Sequence, residues 1–476
     1  MGGRWQRWKR FFLAWVILAL GLNVCSVASG GDARSANYRT ADVVVIGAGL
    51  SGLMSALVLA GQGMDVVLLE KSDRVGGKLL ASSLGGTAAN VGVQYVFYEI
   101  HPLVDNYLDR LPLIPLTGTV GAVWDSSLYT AGSQDDLLLG LPIPPEAKLD
   151  LMRADLRMTS SRAVILSSRE FFFDKEPFSL VWWDTERQSA QEYLSRYHED
   201  VSRIYNLFVS TEAGGGLSEI SALGLVGGYA SRLPSEPPRE GYLIEGGNHI
   251  LAEAIRDDFM AAGGTLYLNT AVTHVEDKGL FVKVESADGS TFLSSCAVVA
   301  TPAQAAKAIV QNLPSKKLEA LDATRYGRIM EVALHLNQVP TGEKAAYVIF
   351  EGEKVNCYID QTGAGGPATD TVVSVSIADY PEDKNDSEII DMVVHSLRMV
   401  NPEIDRTWVL DYFVQRWPEG IVTYPPLYLS QYQDALREPV GRIHFAGDYT
   451  HEPSLWGAAW SGVRAAEQVL SDSRQE

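Results

Sequence analysis

Three glycines and one acid carry the first chemistry this sequence suggests. Gly47, Gly49 and Gly52 sit in the run Gly47-Ala48-Gly49-Leu50-Ser51-Gly52, and Glu70 lies 18 residues beyond the last of them. Backbone amides gathered at a helix start hold phosphate oxygens, and glycines let the chain come close enough to do so. In that reading Gly47 permits the tight turn, Gly49 the approach to a pyrophosphate, and Gly52 the close packing of helix on strand. Glu70 then stands where a carboxylate accepts hydrogen bonds from a ribose diol. A GxGxxG run alone is as often an ordinary glycine-rich loop, so the decision rests on what surrounds it.

The surroundings are those the chemistry needs. Residues 43–46 form a short apolar run suited to a buried parallel strand, 53–60 read as a helix, and 66–69 as a second apolar strand ending at Glu70. Strand, helix, strand and terminal acid together make a dinucleotide site. Next comes Arg74-Val75-Gly76-Gly77-Lys78. With it, the stretch resembles the FAD-binding N-terminus of the flavin amine oxidase and phytoene desaturase superfamily, where an acid is followed by R-x-GG-R. The resemblance implies FAD, bound here by Gly47, Gly49, Leu50, Ser51, Gly52, Glu70, Lys71, Gly77 and Lys78. Lys78 stands where arginine is usual, so a point charge replaces a bidentate fork.

Three later stretches extend the resemblance. Gly92-Val93-Gln94-Tyr95 is similar to a segment that passes beside the isoalloxazine ring, which implies cofactor contacts from Gly92, Val93 and Gln94. Read without the resemblance, 90–97 is a strand with aromatic packing. A second FAD segment is implied around Gly241 to Thr301. There Asn248 is expected to cap a helix with Leu251, Ile255 and Phe259 on one stripe, and Gly263 to stop it. A strand over 265–275, a hairpin turning at Asp288-Gly289 and a strand over 297–300 follow. Val272 matches the position whose backbone meets the adenine. The third segment runs through Gly447-Asp448 and the helix start at Gly457-Ala458. Asp448 is implied to contact pyrophosphate or ribityl hydroxyls, and the helix dipole to face the flavin edge that gathers negative charge on reduction.

The fold implied is α/β: a Rossmann-like FAD-binding domain of the glutathione-reductase type with an interleaved α+β substrate domain. FAD-binding segments are expected at 38–104, 240–308 and 437–472, with substrate-domain parts at 105–239 and 309–436. The first of these parts reads as mostly helical, with a helix opening at Pro145, a capping box at Ser189-Ala190-Gln191-Glu192, and the aromatics Phe171, Phe172, Phe173, Trp182 and Trp183 mainly as core. In the second part, Trp417 could wall the site beside the flavin and Tyr424 could orient the substrate, if they are more than core aromatics. Many amine oxidases of the family carry a lysine on the strand at 326–333. Here Met330 or Glu331 stands in its place, and Trp456 stands where the family has glutamate.

Charge and cysteine content narrow the partners. A net charge of −20 repels phosphate backbones and excludes nucleic acid. Residues 1–31 read as a targeting segment: Arg4, Arg7, Lys9 and Arg10, an apolar run over 11–27, then small residues at 28–31. Lys9-Arg10-Phe11-Phe12-Leu13 looks like a weakened twin-arginine signal. A cleaved signal places the protein outside the cytoplasm, periplasmic or secreted; a retained anchor gives membrane association through the N-terminus, and Cys25 leaves a lipoprotein open. Cys296 and Cys357 make no disulfide framework, and no spacing of histidines and cysteines suits a metal. With no cysteine at the family's covalent link, the FAD is expected to be non-covalent.

The reaction implied is hydride transfer from a substrate C–H, most simply one alpha to an amine nitrogen, to flavin N5. Oxygen or another acceptor would then take the electrons. Two alternatives stay open: carbon–carbon desaturation or isomerisation of an apolar, polyene-like molecule, and a flavin-binding protein without catalysis.

Overall fold

Strand β1 (Tyr38–Ile46) is buried without exception from Val43 onward and pairs in parallel with β2 (Val66–Leu69), Val43 opposite Val66 and Ile46 opposite Leu69. An all-apolar pair of this kind needs cover on both faces. The helix Leu50–Gly61 covers one face, packed against the helices His249–Ala261 and Leu455–Gln475. The structure, a computed structural model, describes residues 38–98, 100–167, 171–175, 179–212, 215–229, 241–340, 345–352, 355–362 and 371–475. The expected targeting segment lies outside them. No helix among the described residues is long and apolar enough to cross a membrane.

Two larger sheets organise the described chain. After β3 (Ala81–Leu84), β4 (Thr87–Asn90), β5 (Leu113–Pro115), β6 (Thr119–Trp124), β7 (Ser127–Ala131) and β8 (Tyr242–Ile244) come β9 (Thr265–Tyr267), β10 (Val272–Asp277), β11 (Val282–Ser286) and β12 (Thr291–Val299). The first sheet runs β10-β11-β12-β1-β2-β9, with β18 (Ile443–Phe445) paired in parallel to β12. Its strands therefore come from three remote parts of the chain. The second sheet runs β17-β13-β16-β15-β14-β6-β7, where β13 is Arg325–Leu336, β14 Ala345–Phe350, β15 Cys357–Asp360, β16 Thr371–Ala378 and β17 Val409–Thr423. Arg39–Glu476 forms one compact unit.

Several expectations are corrected here. The strand expected over 265–275 is two strands, β9 and β10, which lie at opposite ends of the first sheet's order. Asn269, at φ +52°, breaks it, and the left-handed region suits asparagine. Residues 91–97 are irregular rather than a strand, held by isolated contacts such as Val93 N–H to the Lys78 carbonyl and the Val96–Tyr242 bridge. The described part of 105–239 is mostly helical as read, and it also lends β6 and β7 to the second sheet. Asn248 does not cap its helix with its side chain; that group is used elsewhere, as described below. Phe172, Phe173 and Trp182 are core, whereas Trp183 is 38% exposed. The Ser189–Glu192 capping box forms both of its hydrogen bonds.

Candidate active site

The glycine-rich turn presents an open helix start. Gly49 precedes the Leu50–Gly61 helix without a side-chain cap, and a Cβ built on it meets nothing within 4 Å. The first amides of the helix, from Leu50, Ser51 and Gly52, have no acceptor within the helix. Behind them the packing is tight: a Cβ on Gly52 would lie 1.8 Å from the Gly47 carbonyl oxygen. Only glycine fits there.

Glu70 ties this turn to the next. Its carboxylate accepts from Ala48 N–H at 2.8 Å and from Ser72 N–H and Oγ at 2.9 and 2.8 Å. A carboxylate has about four lone-pair sites, so room for about one further donor, such as a ribose hydroxyl, remains. Lys71 is exposed beside it. Val272 starts β10, two residues after Thr270, whose N–H donates to the Glu70 carbonyl at 2.8 Å. Gly77 (φ +56°) lies against Gly49, its built Cβ 3.2 Å from the Gly49 Cα. Arg74 folds back on this turn, donating to the Gly77 carbonyl at 2.8 Å, and burial lowers its pKa. Sequence reasoning gave Arg74 no role beyond the motif.

The third segment meets the first through polar side chains. Lys78 Nζ stands 3.1 Å from Asp448 Oδ2. Gly447 N–H donates to Ser461 Oγ at 3.0 Å, and Ser461 Oγ lies 3.3 Å from Ser51 Oγ. At the start of the Leu455–Gln475 helix, the Gly457 amide is already engaged by Ser454 Oγ and the Ala458 amide by the Ser454 carbonyl. What those two residues offer a flavin is therefore the helix dipole rather than free N–H groups.

The turn Val91–Gln94 is fixed by the second sheet, by the Lys78 loop and by the start of the His249–Ala261 helix. Trp417 donates its indole N–H to the Val91 carbonyl at 2.7 Å, and a Cβ on Gly92 would sit 2.0 Å from the Lys78 carbonyl oxygen. Asn248 donates to the Val93 carbonyl at 2.9 Å while its own N–H reaches Asn90 Oδ1 at 2.8 Å. Gln361 donates to Gln94 Oε1 at 3.1 Å and accepts from Asn90 at 2.9 Å. Gln94 Nε2 is buried with no partner among the described residues. Asn248, Asn90 and Gln361 were invisible to motif reading, since each acts through a residue remote in sequence.

Between Glu331 and Met330, the register decides which one faces this turn. Glu331 lies opposite Ser376 and Gln415, and Ile329 opposite Trp417, so Glu331 shares a face with Trp417. Ala333 on that face packs with Val91, whereas Met330 belongs to the core on the other side. The Glu331 carboxyl is buried, Ser376 Oγ lies 2.9 and 2.8 Å from its two oxygens, and burial holds its pKa well above the carboxylate range. Tyr424 is buried, stacked on Tyr428 at 5.2 Å between ring centroids, and its hydroxyl donates to the Asp448 carbonyl at 3.1 Å. It props Asp448. Phe171, His451, Trp456 and Trp460 form an aromatic group at the start of the last helix, with centroids 4.8 to 5.7 Å apart.

These residues fit FAD: an open helix start for a pyrophosphate, an acid with an acceptor site to spare, and a Gln94 amide nitrogen that has no partner among the described residues. A cavity of about 470 Å³ lined by Ser82, Ser83, Glu245 and His249 involves none of them. Among the described residues no group of side chains could hold a metal ion.

Comparison with known proteins points the same way. The chain is 25% identical over 488 residues to the flavin-containing amine oxidase B of Canis lupus familiaris, covering 90% of this chain and 86% of the relative. It is 25% identical over 485 residues to the L-amino acid oxidase of Bothrops pictus, covering 93% and 92%. The solved structure of wild-type putrescine oxidase bound to putrescine superimposes with a TM-score of 0.76 at 18% identity, over 91% of this chain and all of that one; at that identity the likeness speaks to the fold. The model of the family described as flavin containing amine oxidoreductase matches residues 50–470, and the chain belongs to that family.

Proposed function

We propose that this protein oxidises a small amine, its substrate giving up a hydride from the carbon alpha to nitrogen, with oxygen or another acceptor reoxidising the enzyme. FAD, when bound, supplies the two-electron acceptor. The observation that carries this reading is the meeting of three remote segments at one open helix start: Lys78–Asp448 and Ser51–Ser461 join the first to the third, and the Ala300 N–H bonded to the Ile46 carbonyl at 2.8 Å joins the second to the first.

Each residue then has a task. The amides of Leu50, Ser51 and Gly52 bind the pyrophosphate, and Glu70 the ribose, with Lys78 and Asp448 closing the other side. Gly92, Val93 and Gln94 line the flavin, positioned by Trp417. Tyr424 acts by holding Asp448 rather than by touching substrate. Glu331, whose carboxyl burial pushes toward the protonated form, is held by Ser376 on the face that carries Trp417. Trp456 and Trp460 exclude water from the substrate side. Hydride loss requires no strong base, which suits a site built from amides and aromatics. Cys296 and Cys357 are both buried, which supports a non-covalent cofactor. Export through residues 1–31, or retention there as an anchor, belongs to the same proposal.

A second reading, desaturation of an apolar polyene-like molecule, draws on the aromatic group around Trp456. Purified protein loaded with FAD and mixed anaerobically with a panel of amines separates the two. Flavin bleaching by amines, with peroxide after air is admitted, supports amine oxidation. Bleaching by apolar polyenes alone supports the second reading, and no bleaching by either removes both.

A further inference from the structure

The carboxamides of Asn248, Asn90, Gln361 and Gln94 come from remote parts of the chain, and hydrogen bonds link them in that order. Asn90, Asn248 and Gln361 are fully buried. A carboxamide accepts at its oxygen and donates at its nitrogen, so its orientation follows from its partners. Backbone groups settle that orientation here. The Asn248 N–H donates to Asn90 Oδ1 at 2.8 Å. The Asn90 amide nitrogen therefore points the other way, donating to the Gln94 carbonyl oxygen at 3.2 Å and to Gln361 Oε1 at 2.9 Å. That leaves Gln361 its nitrogen for Gln94, and it donates to Gln94 Oε1 at 3.1 Å. The same nitrogen also lies 3.4 Å from the Gln94 carbonyl oxygen, which can only accept.

The series ends on a donor. Gln94 Nε2 is buried and has no partner among the described residues, whereas Asn90, Asn248 and Gln361 each have partners at both ends of the amide. A buried donor left unmatched is costly. Turning the Gln94 amide over would not relieve it, because its nitrogen would then oppose the Gln361 nitrogen that Asn90 fixes in place. The missing partner is therefore an acceptor. In the function proposed above, Gly92 to Gln94 line the flavin, and the present inference rests on that placing. Among the ring's acceptors, N5 gains a proton on reduction and would then face a donor. A ring carbonyl accepts in both states and gathers negative charge on reduction, which an aimed N–H stabilises.

We infer that Gln94 donates its amide N–H to a carbonyl of the flavin ring, and that Gln361, just past β15, is the positioning residue that turns the donor end toward it. The test uses the full chain loaded with FAD. It reads the midpoint potential of the bound flavin against a redox dye, and the infrared bands of its ring carbonyls. Gln94→Met keeps the side-chain length and removes the donor. It shifts the balance about tenfold toward oxidised flavin, ~30 mV lower for a two-electron couple, and moves one carbonyl band to higher frequency. Gln361→Met frees the Gln94 amide to turn over and shifts the potential in the same direction. It adds nothing when Gln94 is already Met. Where Gln361→Met does not fold, Gln361→Asn, which keeps the amide but falls short of Gln94, takes its place with the same expectations. FAD bound by Gln94→Met with potential and carbonyl bands as in wild type overturns the inference and leaves the Gln94 amide to a buried water. A Gln361 shift that persists undiminished in the Gln94→Met background overturns the positioning role. A wild-type chain that takes up no FAD overturns the reading of the site and this inference with it, a result distinct from both.

Discussion

Lys78 and Asp448, 370 residues apart in the chain, bring their ammonium and carboxylate to 3.1 Å of each other. The pair closes the candidate cofactor site, and both partners are partly shielded from solvent. Lys78→Ala leaves the Asp448 carboxylate without its cation where a pyrophosphate is expected. FAD affinity should fall about tenfold, equivalent to about 1.4 kcal/mol. Lys78→Arg should hold affinity or raise it, because the guanidinium fork matches a phosphate. Titration of apoprotein with FAD, followed by flavin fluorescence, measures both.

Gly52→Ala puts a methyl group 1.8 Å from the Gly47 carbonyl oxygen. The turn and the helix must part to admit it, and overpacking of this kind costs about 1–3 kcal/mol or more. Loss of FAD uptake at micromolar cofactor is the expected outcome. An Ala variant that binds FAD as wild type does would remove the helix start from the site.

Trp417→Phe keeps the aromatic wall and removes the hydrogen bond to the Val91 carbonyl. A net cost of about 1 kcal/mol in stability is expected. The visible circular dichroism of bound flavin should change as well, because the turn beside the ring loses its anchor. A change in thermal stability alone, with the flavin spectrum untouched, would make Trp417 a core residue only.

Asp155 supplies a pH dependence that does not involve the flavin. Buried on the Pro145–Leu166 helix, its carboxyl is pushed up to about 7, first by burial and then by Asp135. An acid whose folded pKa lies above its unfolded value, about 3.9, binds its proton more tightly when folded. Its stabilising effect is full below the unfolded value and is lost as pH rises toward 7. Wild type should therefore lose melting temperature between about pH 4 and pH 7 more steeply than Asp155→Asn. Parallel curves for the two proteins would contradict the burial of this charge.

Glu331→Gln tests the buried acid beside Ser376, whose carboxyl burial pushes toward the protonated form. Glutamine preserves shape and neutrality, so FAD binding and folding should survive at neutral pH. Glu331→Lys places a charge in the same dry position and should cost several kcal/mol in stability unless the cofactor offsets it. Melting curves with and without FAD distinguish the two cases.

Much of the nucleotide-binding half was legible because its chemistry is local. The turn at Gly47–Gly52, the strands around it and Glu70 lie within one short stretch, and each local preference agrees with the fold. The substrate half was less legible. Residues 91–97 read as a strand from their apolar content, yet their backbone is held by Trp417, Asn248 and the Lys78 carbonyl, none of them near in sequence. Asn248 looked like a helix cap because asparagine before a helix usually is one. Tertiary partners claimed its side chain instead. The choice between Met330 and Glu331 needed the register of β13 against β16 and β17, which only pairing across the sheet supplies.

The most direct measurement is the visible absorbance of the purified chain before and after addition of FAD, followed by anaerobic titration with an amine. One FAD per chain is expected, lost on Gly52→Ala and bleached by an amine substrate. A folded protein that stays colourless in excess FAD would contradict the convergence of the three segments on one cofactor.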